Sequence, residues 1–267
     1  MSSSNKPEKQ INNALSALEV SLGALSPLAI LKQMKGCAQF CGETYEQIYL
    51  ASKDKLIWTT AKRLAINAAT YADRELRRNK LSEYIWTEFY GGVFIEDFLE
   101  SYQGEQRKLL VRHAEDEVRH GNAFAVYAKQ AAPQREGSPE CAAARDSYAA
   151  YREWVNGDID AFIAILHVLE LRTALILSHW FQLLASYPDD EHDVIRDMLS
   201  KISRDEVFHL TYTIQYLHER LDDPAVAQTL KEAFLISEAS VPEILAAAHK
   251  RRQQSAVPST THFEKVA

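Results

Sequence analysis

Glycine and proline are scarce in this chain, which has only 9 Gly and 8 Pro among its 267 residues. Both residues disfavour helix interiors, so their scarcity beside many Ala, Leu, Glu and Arg residues predicts a mostly helical protein. No segment shows the alternation of apolar and polar residues that is typical of a β-strand. We therefore expect an all-α fold.

The chain also lacks the features of several protein classes. Its three cysteines, Cys37, Cys41 and Cys141, are too few and odd in number for a secreted disulfide framework. Cys37 and Cys41 have no second pair to complete a metal site, so we interpret them as ordinary buried thiols. The net charge of −7 argues against general binding to nucleic acid or anionic membranes. With no apolar signal core and no evident apolar run of 18 residues, we expect a cytoplasmic protein.

The pattern indicates one helical domain over residues 11–250, with polar tails at 1–10 and 251–267. Four long helices are predicted within it, at 81–101, 104–130, 159–186 and 190–221. Further helices are predicted in 11–36 (interrupted near Ser26-Pro27), in 43–78, at 141–155, and in two segments that begin at 222 and 241.

Two segments share the pattern Asp-Glu-Val-x-His, namely 116–120 and 205–209. With 9 His and 23 Glu in the chain, chance predicts roughly one Glu-x-x-His, and about 0.04 when Asp must precede the Glu. On a helix, residues three apart share a face, so each motif directs one carboxylate and one imidazole toward the same point. Two such helices packed face to face would form half of a dinuclear metal site.

The other half should be one glutamate from each partner helix. In an antiparallel helix pair, residues at the same depth lie equally far from the connecting turn. The midpoint of Glu88 and Glu117 falls within residues 101–104, where a turn is expected. Glu83 and Glu96 compete with Glu88, but their midpoints with Glu117 miss this turn. The distance from the turn therefore assigns Glu88 as the partner of the first motif.

The second motif has a matching partner. The midpoint of Glu170 and Glu206 is Pro188, within another turn-forming segment that precedes a helix cap. Each half of the long-helix region therefore has the order glutamate, turn, Asp-Glu-x-x-His.

Four carboxylates and two imidazoles suit a pair of iron ions, or less often manganese. The four negative charges balance two divalent ions, whereas without metal they would be very unfavourable when buried. The alternative is a solvated or salt-bridged helix face with Arg119 and Arg172 as partners. If metals bind, we expect Asp116 and Asp205 each to accept the free ring N–H of a ligand histidine and fix its tautomer.

These motifs resemble the ferritin-like di-iron carboxylate superfamily. The first motif and Glu170-Leu171-Arg172 are similar to its oxygen-activating branch: multicomponent monooxygenases, acyl-carrier-protein desaturases and aryl-amine N-oxygenases. The resemblance covers residues 80–220 and implies a ferritin-like four-helix bundle with additional flanking helices. It also implies two Fe ions, with Mn/Fe as an alternative pair, that activate dioxygen. The implied ligand sets, with at least one bridging glutamate, are Glu88, Glu117 and His120 for one ion and Glu170, Glu206 and His209 for the other.

Two further histidines lie near these residues. Aryl-amine N-oxygenases have an extra histidine four residues before the glutamate of their second motif, where this chain has Ile202. Here His113 lies four residues before Glu117, and His167 lies three before Glu170. Either could reach the metals, but we interpret both as residues beside the ligands or in the pocket wall.

A substrate pocket is expected between the metal-bearing helices. Its predicted lining residues are Phe89, Tyr90, Gly92, Phe124, His167 and Phe208. Gly91 and Gly92 lie in the middle of an apolar helix, where each costs about 1 kcal/mol relative to Ala. They indicate either close helix packing or room beside the metals, the latter through a helical bulge.

These features favour an oxygen-dependent di-iron oxidase or oxygenase that hydroxylates, N-oxygenates or desaturates a small organic molecule. The alternatives are a ferroxidase or iron-storage protein without an organic substrate, and a metal-free helical interaction protein. An external electron donor such as a ferredoxin is expected, and basic residues near Arg77 and Arg252 are candidate contacts for it. A homodimer is one open assembly state, and no nucleic-acid or membrane partner is expected.

Overall fold

The computed structural model describes residues 26–34, 36–134, 139–186 and 189–238. These ranges contain nine α-helices and no β-strand, which confirms the all-α prediction. The helices are α1 (Pro27–Gln33), α2 (Glu43–Ser52), α3 (Ala61–Ala72), α4 (Arg74–Leu99), α5 (Arg107–Ala128), α6 (Pro139–Val155), α7 (Ile159–Ser186), α8 (His192–His218) and α9 (Pro224–Ile236). The predicted tails, and the helices predicted before residue 26 and after 241, lie outside the described residues.

The four long helices α4, α5, α7 and α8 pack as two pairs. Helix α4 lies along α5, α7 lies along α8, and α5 contacts α8, which is the packing of a four-helix bundle. The shorter helices flank it: α3 and α6 contact both α4 and α7, while α9 contacts α7 and α2. The predicted turn between α4 and α5 is present at residues 100–106, and α7 ends and α8 begins on either side of the second predicted turn, of which residues 187 and 188 lie outside the described residues.

The start of α4 differs from the sequence prediction. The helix begins at Arg74 rather than near residue 81, so residues 74–78 belong to α4 and not to the preceding helical segment. The reason is a local cap: the Asp73 side chain accepts hydrogen bonds from the backbone N–H groups of Glu75 and Leu76, both at 2.9 Å.

The basic first turn of α4 pairs with the acidic segment before α8. Arg77 is only 2% exposed and contacts the carboxylates of Asp189 and Glu191. Arg74 and Arg78 also contact Glu191. Arginines near Arg77, predicted above as contacts for an acidic electron donor, are thus engaged within the chain. Arg252 lies outside the described residues.

Helix α7 is apolar and long enough to cross a membrane by length and composition. The expectation that no such run exists is therefore wrong. However, 78% of its most apolar window is buried inside the protein, because α1, α3, α6, α8 and α9 all contact it. Central helices of globular bundles have this composition when every face is covered.

Two buried apolar clusters lie on either side of the bundle's middle. The larger cluster includes Phe94, Phe162 and Leu210, and it extends to the flanking helices α2, α6 and α9. The smaller includes Ile85 and Ile202 and contacts α3. Along α4, α5 and α8, the change from one cluster to the other falls where the candidate metal ligands lie; along α7 it falls after Leu175, more than one turn beyond Glu170.

Candidate metal centre

The structure brings all six predicted ligands together between the four long helices. None is more than 6% exposed: Glu88, Glu117, His120, Glu170, Glu206 and His209. Together with His113 they form two overlapping groups, and in each group one ligand atom per residue lies within 4.8 Å of the others. The groups are Glu88, Glu117, His120 and Glu206, and His113, Glu117, Glu170 and His209. Each group could hold a metal ion.

Glu117 and Glu206 lie between the two groups. Glu117 Oε1 is 3.8 Å from His120 Nδ1 and 3.7 Å from His209 Nδ1. The two oxygens of Glu206 face different histidines, with Oε1 3.4 Å from His120 Nδ1 and Oε2 3.6 Å from His209 Nδ1. Both glutamates therefore occupy bridging positions. Only Glu117 belongs to both groups; Glu206, expected beside the same ion as Glu170 and His209, belongs instead to the group of Glu88, Glu117 and His120 and faces His209 with its second oxygen.

Several buried atoms of this cluster have no hydrogen-bond partner in the part of the chain that the structure describes. They are Glu117 Oε1, both carboxylate oxygens of Glu206, His120 Nδ1 and His209 Nδ1. Leaving such a group unpaired costs about 1–3 kcal/mol, and more for a charged group. All are oxygen or nitrogen atoms of the kinds that coordinate Fe and Mn ions. The residues fit a pair of divalent ions, whose charges four glutamates would balance.

Two aspartates hold the outer nitrogens of the ligand histidines in a crossed arrangement. Asp116 Oδ2 lies 3.3 Å from His209 Nε2, and Asp205 Oδ2 lies 3.2 Å from His120 Nε2. Each aspartate thus contacts the histidine of the other motif. A histidine that donates Nε2–H outward presents Nδ1 to the carboxylates. Arg119 donates to both aspartates, at 2.6 and 2.8 Å, and ties the two motifs together.

The salt-bridged alternative required Arg119 and Arg172 beside the glutamates. Arg119 instead binds the two aspartates, and Arg172 donates to the backbone carbonyl of Ser237 at 3.2 Å. The glutamates face one another and the histidines. A solvated or salt-bridged helix face therefore does not describe this cluster.

The crowding of carboxylates moves their pKa values in opposite directions. Burial raises the pKa of Glu117 and of Glu206 well above the usual range, and neighbouring carboxylates add to this. Burial also opposes ionisation of Glu170, but the adjacent Glu206 and histidine side chains lower its pKa. Burial would lower the pKa of His209, yet its contact with Asp116 and the nearby carboxylates raise it to about 9. Protons and metal ions would therefore compete for these atoms.

His113 belongs to the cluster itself. Its Nε2 is 3.1 Å from Glu170 Oε1 and 3.5 Å from Glu117 Oε1, and its Nδ1 is 2.7 Å from the Tyr212 hydroxyl. Its ring stacks on that of His209, with centroids 3.6 Å apart. Burial lowers the pKa of His113 to about 4, with His209 as a further cause, so the ring is neutral at ordinary pH. His113, expected beside the ligands, therefore lies within one of the two groups that could hold a metal ion.

His167 lies apart from both groups. Its Nε2 is 2.8 Å from the Tyr45 hydroxyl and its Nδ1 is 3.0 Å from Thr213 Oγ1, so both ring nitrogens are already engaged. Burial lowers its pKa to about 3. The structure places His167 in a buried hydrogen-bond network next to the cluster.

Gly91 and Gly92 meet different neighbours, and α4 is a regular α-helix through both. A Cβ at Gly91 would lie 2.7 Å from Glu117 Oε2 and 3.1 Å from the Tyr148 hydroxyl. A Cβ at Gly92 would lie 3.0 Å from the backbone oxygen of Ala114 on α5. Gly91 therefore leaves room for a ligand carboxylate, whereas Gly92 permits close helix packing. Close helix packing is therefore confirmed for Gly92, room beside the metals for a substrate stays a prediction, and the helical bulge is absent from α4.

An apolar cavity adjoins the cluster at Glu88. It is narrow: the centre of a water molecule can occupy only about 20 Å³ of it, which is room for about one water molecule. Every long helix contributes residues one or two turns from its ligands: Leu81 and Tyr84 before Glu88, Phe124 after His120, Leu177 after Glu170, and Leu199 and Ile202 before Glu206. These residues lie four or seven positions from a candidate ligand along their helices. This spacing is the sequence signal that could have identified the lining of the cavity.

The predicted pocket residues mostly lie elsewhere. Phe124 lines the cavity, but Phe89 and Tyr90 are buried in aromatic contacts on other faces of α4. Gly92 packs against α5, and Phe208 stacks beneath a surface arginine at 3.7 Å. These positions were predicted because they lie close to the candidate ligands in sequence. On a helix, however, only residues three, four or seven apart share a face.

Comparison of the chain with protein-family models, curated protein sequences and solved structures finds no match. The fold and site define an all-helical protein with two buried His/Glu groups that could bind metal ions. This arrangement is compatible with a ferritin-like di-iron fold.

Proposed function

We propose that the protein is an oxygen-dependent di-iron oxidase or oxygenase. It would hydroxylate, N-oxygenate or desaturate a small organic molecule. The observation that supports this most directly is the position of an apolar cavity against a cluster that fits two metal ions, with Glu88 belonging to both. Enzyme sites commonly combine an apolar pocket with a few convergent polar groups.

The two groups share one residue, Glu117. Glu88, Glu117, His120 and Glu206 would hold one ion, and His113, Glu117, Glu170 and His209 would hold the other. When bound, a reduced Fe/Fe or Mn/Fe pair supplies the electrons and Lewis acidity needed to activate dioxygen.

The surrounding residues would orient the ligands and exclude water. Asp116 and Asp205 fix which nitrogen of each ligand histidine faces the centre. On the cavity side, Phe124, Leu177 and Ile202 present apolar surface, which favours an organic group over water. A monooxygenase reaction reduces the second oxygen atom to water with two external electrons, so the proposal includes a donor such as a ferredoxin.

A ferroxidase or iron-storage role would require a route for hydrated iron ions. The cavity beside Glu88 is apolar, and a ferrous ion would lose its water there without gaining replacement ligands. The cavity therefore favours an organic substrate over iron as the molecule that enters at this side.

The first test is metal content after anaerobic loading with ferrous iron. We expect about two irons per chain, the occupancy of a dinuclear site, and loss of most iron in Glu117→Ala/Glu206→Ala. The matched control is Glu83→Ala/Glu96→Ala, which removes two exposed glutamates from α4 and should leave the iron content unchanged.

Oxygen uptake then separates the two functions. Uptake that increases with an added organic substrate and an electron donor supports an oxygenase. Uptake that depends only on added ferrous iron supports a ferroxidase. Absence of metal in the unaltered protein after loading would reject both.

A further inference from the structure

A second, polar groove lies beside the apolar cavity, between α3, α4, α7 and the end of α9. It holds about 970 Å³ of free space, including its opening. Tyr84 and Ile176 line both the groove and the cavity, so they form the wall between them. The Tyr84 ring contacts Phe124 and Trp180 on the cavity side, with centroid distances of 5.4 and 6.2 Å.

The groove is positively charged. Arg63, Lys80 and Arg172 line it together with one carboxylate, that of Glu238. Three positive charges against one negative leave a net charge of +2, although the whole chain carries −7. A positive lining on an acidic protein is a local feature, and such concave sites concentrate anions.

These cations are only partly used by the protein. Arg63 is exposed, and Arg172 makes a hydrogen bond to the Ser237 carbonyl at 3.2 Å. Lys80 lies over the Tyr84 ring, with its Nζ 5.4 Å from the centroid, and pairs on its outer side with exposed Glu83. A guanidinium has five N–H donors and an ammonium three, so donors remain for a ligand.

Tyr84 links the groove to the metal centre. It lies one helical turn before Glu88, on the same face of α4. Burial raises the pKa of its phenol, the Glu88 carboxylate raises it further, and Arg172 and Arg63 lower it. The side chain is thus within electrostatic reach of both the cluster and the cationic groove.

We propose that the substrate is an amphiphilic anion, which specifies the substrate class of the proposed oxygenase and rests on that function. Its carboxylate or phosphate head would bind among Arg63, Lys80 and Arg172. A slim apolar part, such as an unbranched alkyl chain or a single flat ring, would displace the Tyr84 and Ile176 side chains that separate the two spaces and extend toward Glu88. The head would determine which atom of the apolar part faces the cluster.

The experiment measures binding of three probes that share an eight-carbon chain: octanoate, octyl phosphate and octanamide. Trp180 lines the cavity and Trp58 the groove, so tryptophan fluorescence reports binding, with calorimetry as a second readout. At low salt, at least one anion should bind about tenfold more tightly than the neutral amide. Comparing the two anions identifies the preferred head. The preference should shrink in about 1 M salt.

Two variants should move the preference in opposite directions. Arg63→Gln/Lys80→Gln should weaken anion binding to nearly the level of the amide. Glu238→Gln should strengthen anion binding several-fold and leave the amide unchanged. The matched control Lys108→Gln/Lys201→Gln removes the same charge from exposed sites outside the groove and should preserve the preference.

Three results would overturn the proposal: equal binding of all three probes, an anion preference that survives in Arg63→Gln/Lys80→Gln, or no binding of any probe. Iron content and oxygen uptake are measured on the same preparation. Protein that holds iron and consumes oxygen with a neutral substrate, but shows no anion preference, keeps the proposed function and rejects the anionic head. Protein that shows the preference but takes up no iron rejects the proposed function and leaves an anion-binding pocket.

Discussion

The two ends of the candidate metal centre differ in how their buried space is filled. At one end, here called the network end, buried rings and hydroxyls bond to one another at 2.7 to 3.0 Å: His113 with Tyr212, and His167 with Tyr45 and Thr213. At the other, the cavity end, apolar side chains surround free space: Tyr84, Phe124, Leu177 and Ile202. Buried polar groups require partners, whereas an apolar wall can face space that a ligand fills.

The cavity end is held together by ion pairs outside the cavity rather than by hydrogen bonds within it. Below the cavity, the first turn of α4 and the segment before α8 are joined by the ion pairs of Arg77 with Asp189 and Glu191. Internal hydrogen bonds therefore hold the network end together, whereas ion pairs between the helix ends beside the cavity hold the cavity end together. This difference fits a fixed ligand scaffold beside a space that accepts a molecule.

The largest expected effect separates the two additional histidines of the network end. His113→Ala should weaken binding of one metal ion by at least about 10- to 100-fold, because even residues that only orient ligands have effects of this size. His167→Ala should change metal affinity far less, since its nitrogens bond to Tyr45 and Thr213 and it belongs to neither group of candidate ligands. Anaerobic titration with ferrous iron or cobalt measures both. Equal losses in the two variants would contradict the assignment of His113 as a ligand.

Stability should distinguish the ends next. Tyr45→Phe leaves a buried nitrogen of His167 without its partner and should lower the free energy of unfolding by about 1–3 kcal/mol. The matched variant is Tyr84→Phe. The Tyr84 hydroxyl makes no hydrogen bond within the described residues, so its removal should lower the free energy of unfolding by less than about 0.5 kcal/mol. Urea denaturation compares them. A larger loss in Tyr84→Phe would reverse the comparison.

A third test crowds the ligand carboxylate from the network side. Gly91→Ala places a methyl group 2.7 Å from Glu117 Oε2. Because the end of a glutamate side chain can move, we expect metal affinity to fall several-fold with little loss of stability.

The control for that test is Gly92→Ala, which meets the backbone of α5 at 3.0 Å. It should instead lower stability, by about 1–3 kcal/mol. Metal titration and urea denaturation of both variants check the contrast, and unchanged metal affinity in Gly91→Ala would contradict it.

The smallest expected effect on stability concerns the ion pairs beside the cavity, in which Glu191 takes part. Burial opposes ionisation of Glu191, but Tyr127 and three arginines lower its pKa from 4.5 to about 2. A lowered folded-state pKa stabilises the fold above the unfolded value, and this contribution disappears as the pH falls toward about 2. Glu191→Gln should therefore be less stable than the unaltered protein near neutral pH. The difference should shrink between pH 4.5 and 2. A difference that stays constant with pH would show that the charge is unimportant.

The six residues of the candidate site were predictable from spacing along single helices and from the antiparallel pairing of neighbouring helices. The motif at 116–120 places Glu117 and His120 on one helix face by spacing alone. Glu88 was selected over Glu83 and Glu96 by its distance from a turn, and the structure leaves both competitors exposed. No comparable rule distinguished His113 from His167, because each lies one turn from a ligand.

The helical class and the six residues that meet in the bundle follow from the amino-acid sequence, since helical spacing and antiparallel pairing are properties of neighbouring segments. That each aspartate binds the histidine of the other motif, 93 and 85 residues away, emerges only from the packing of the helices. The packing also determines that His113 joins the cluster and where the cavity opens. Those features depend on the rotation of each helix about its axis, which is set by packing against the other helices and not by the spacing of residues along one of them.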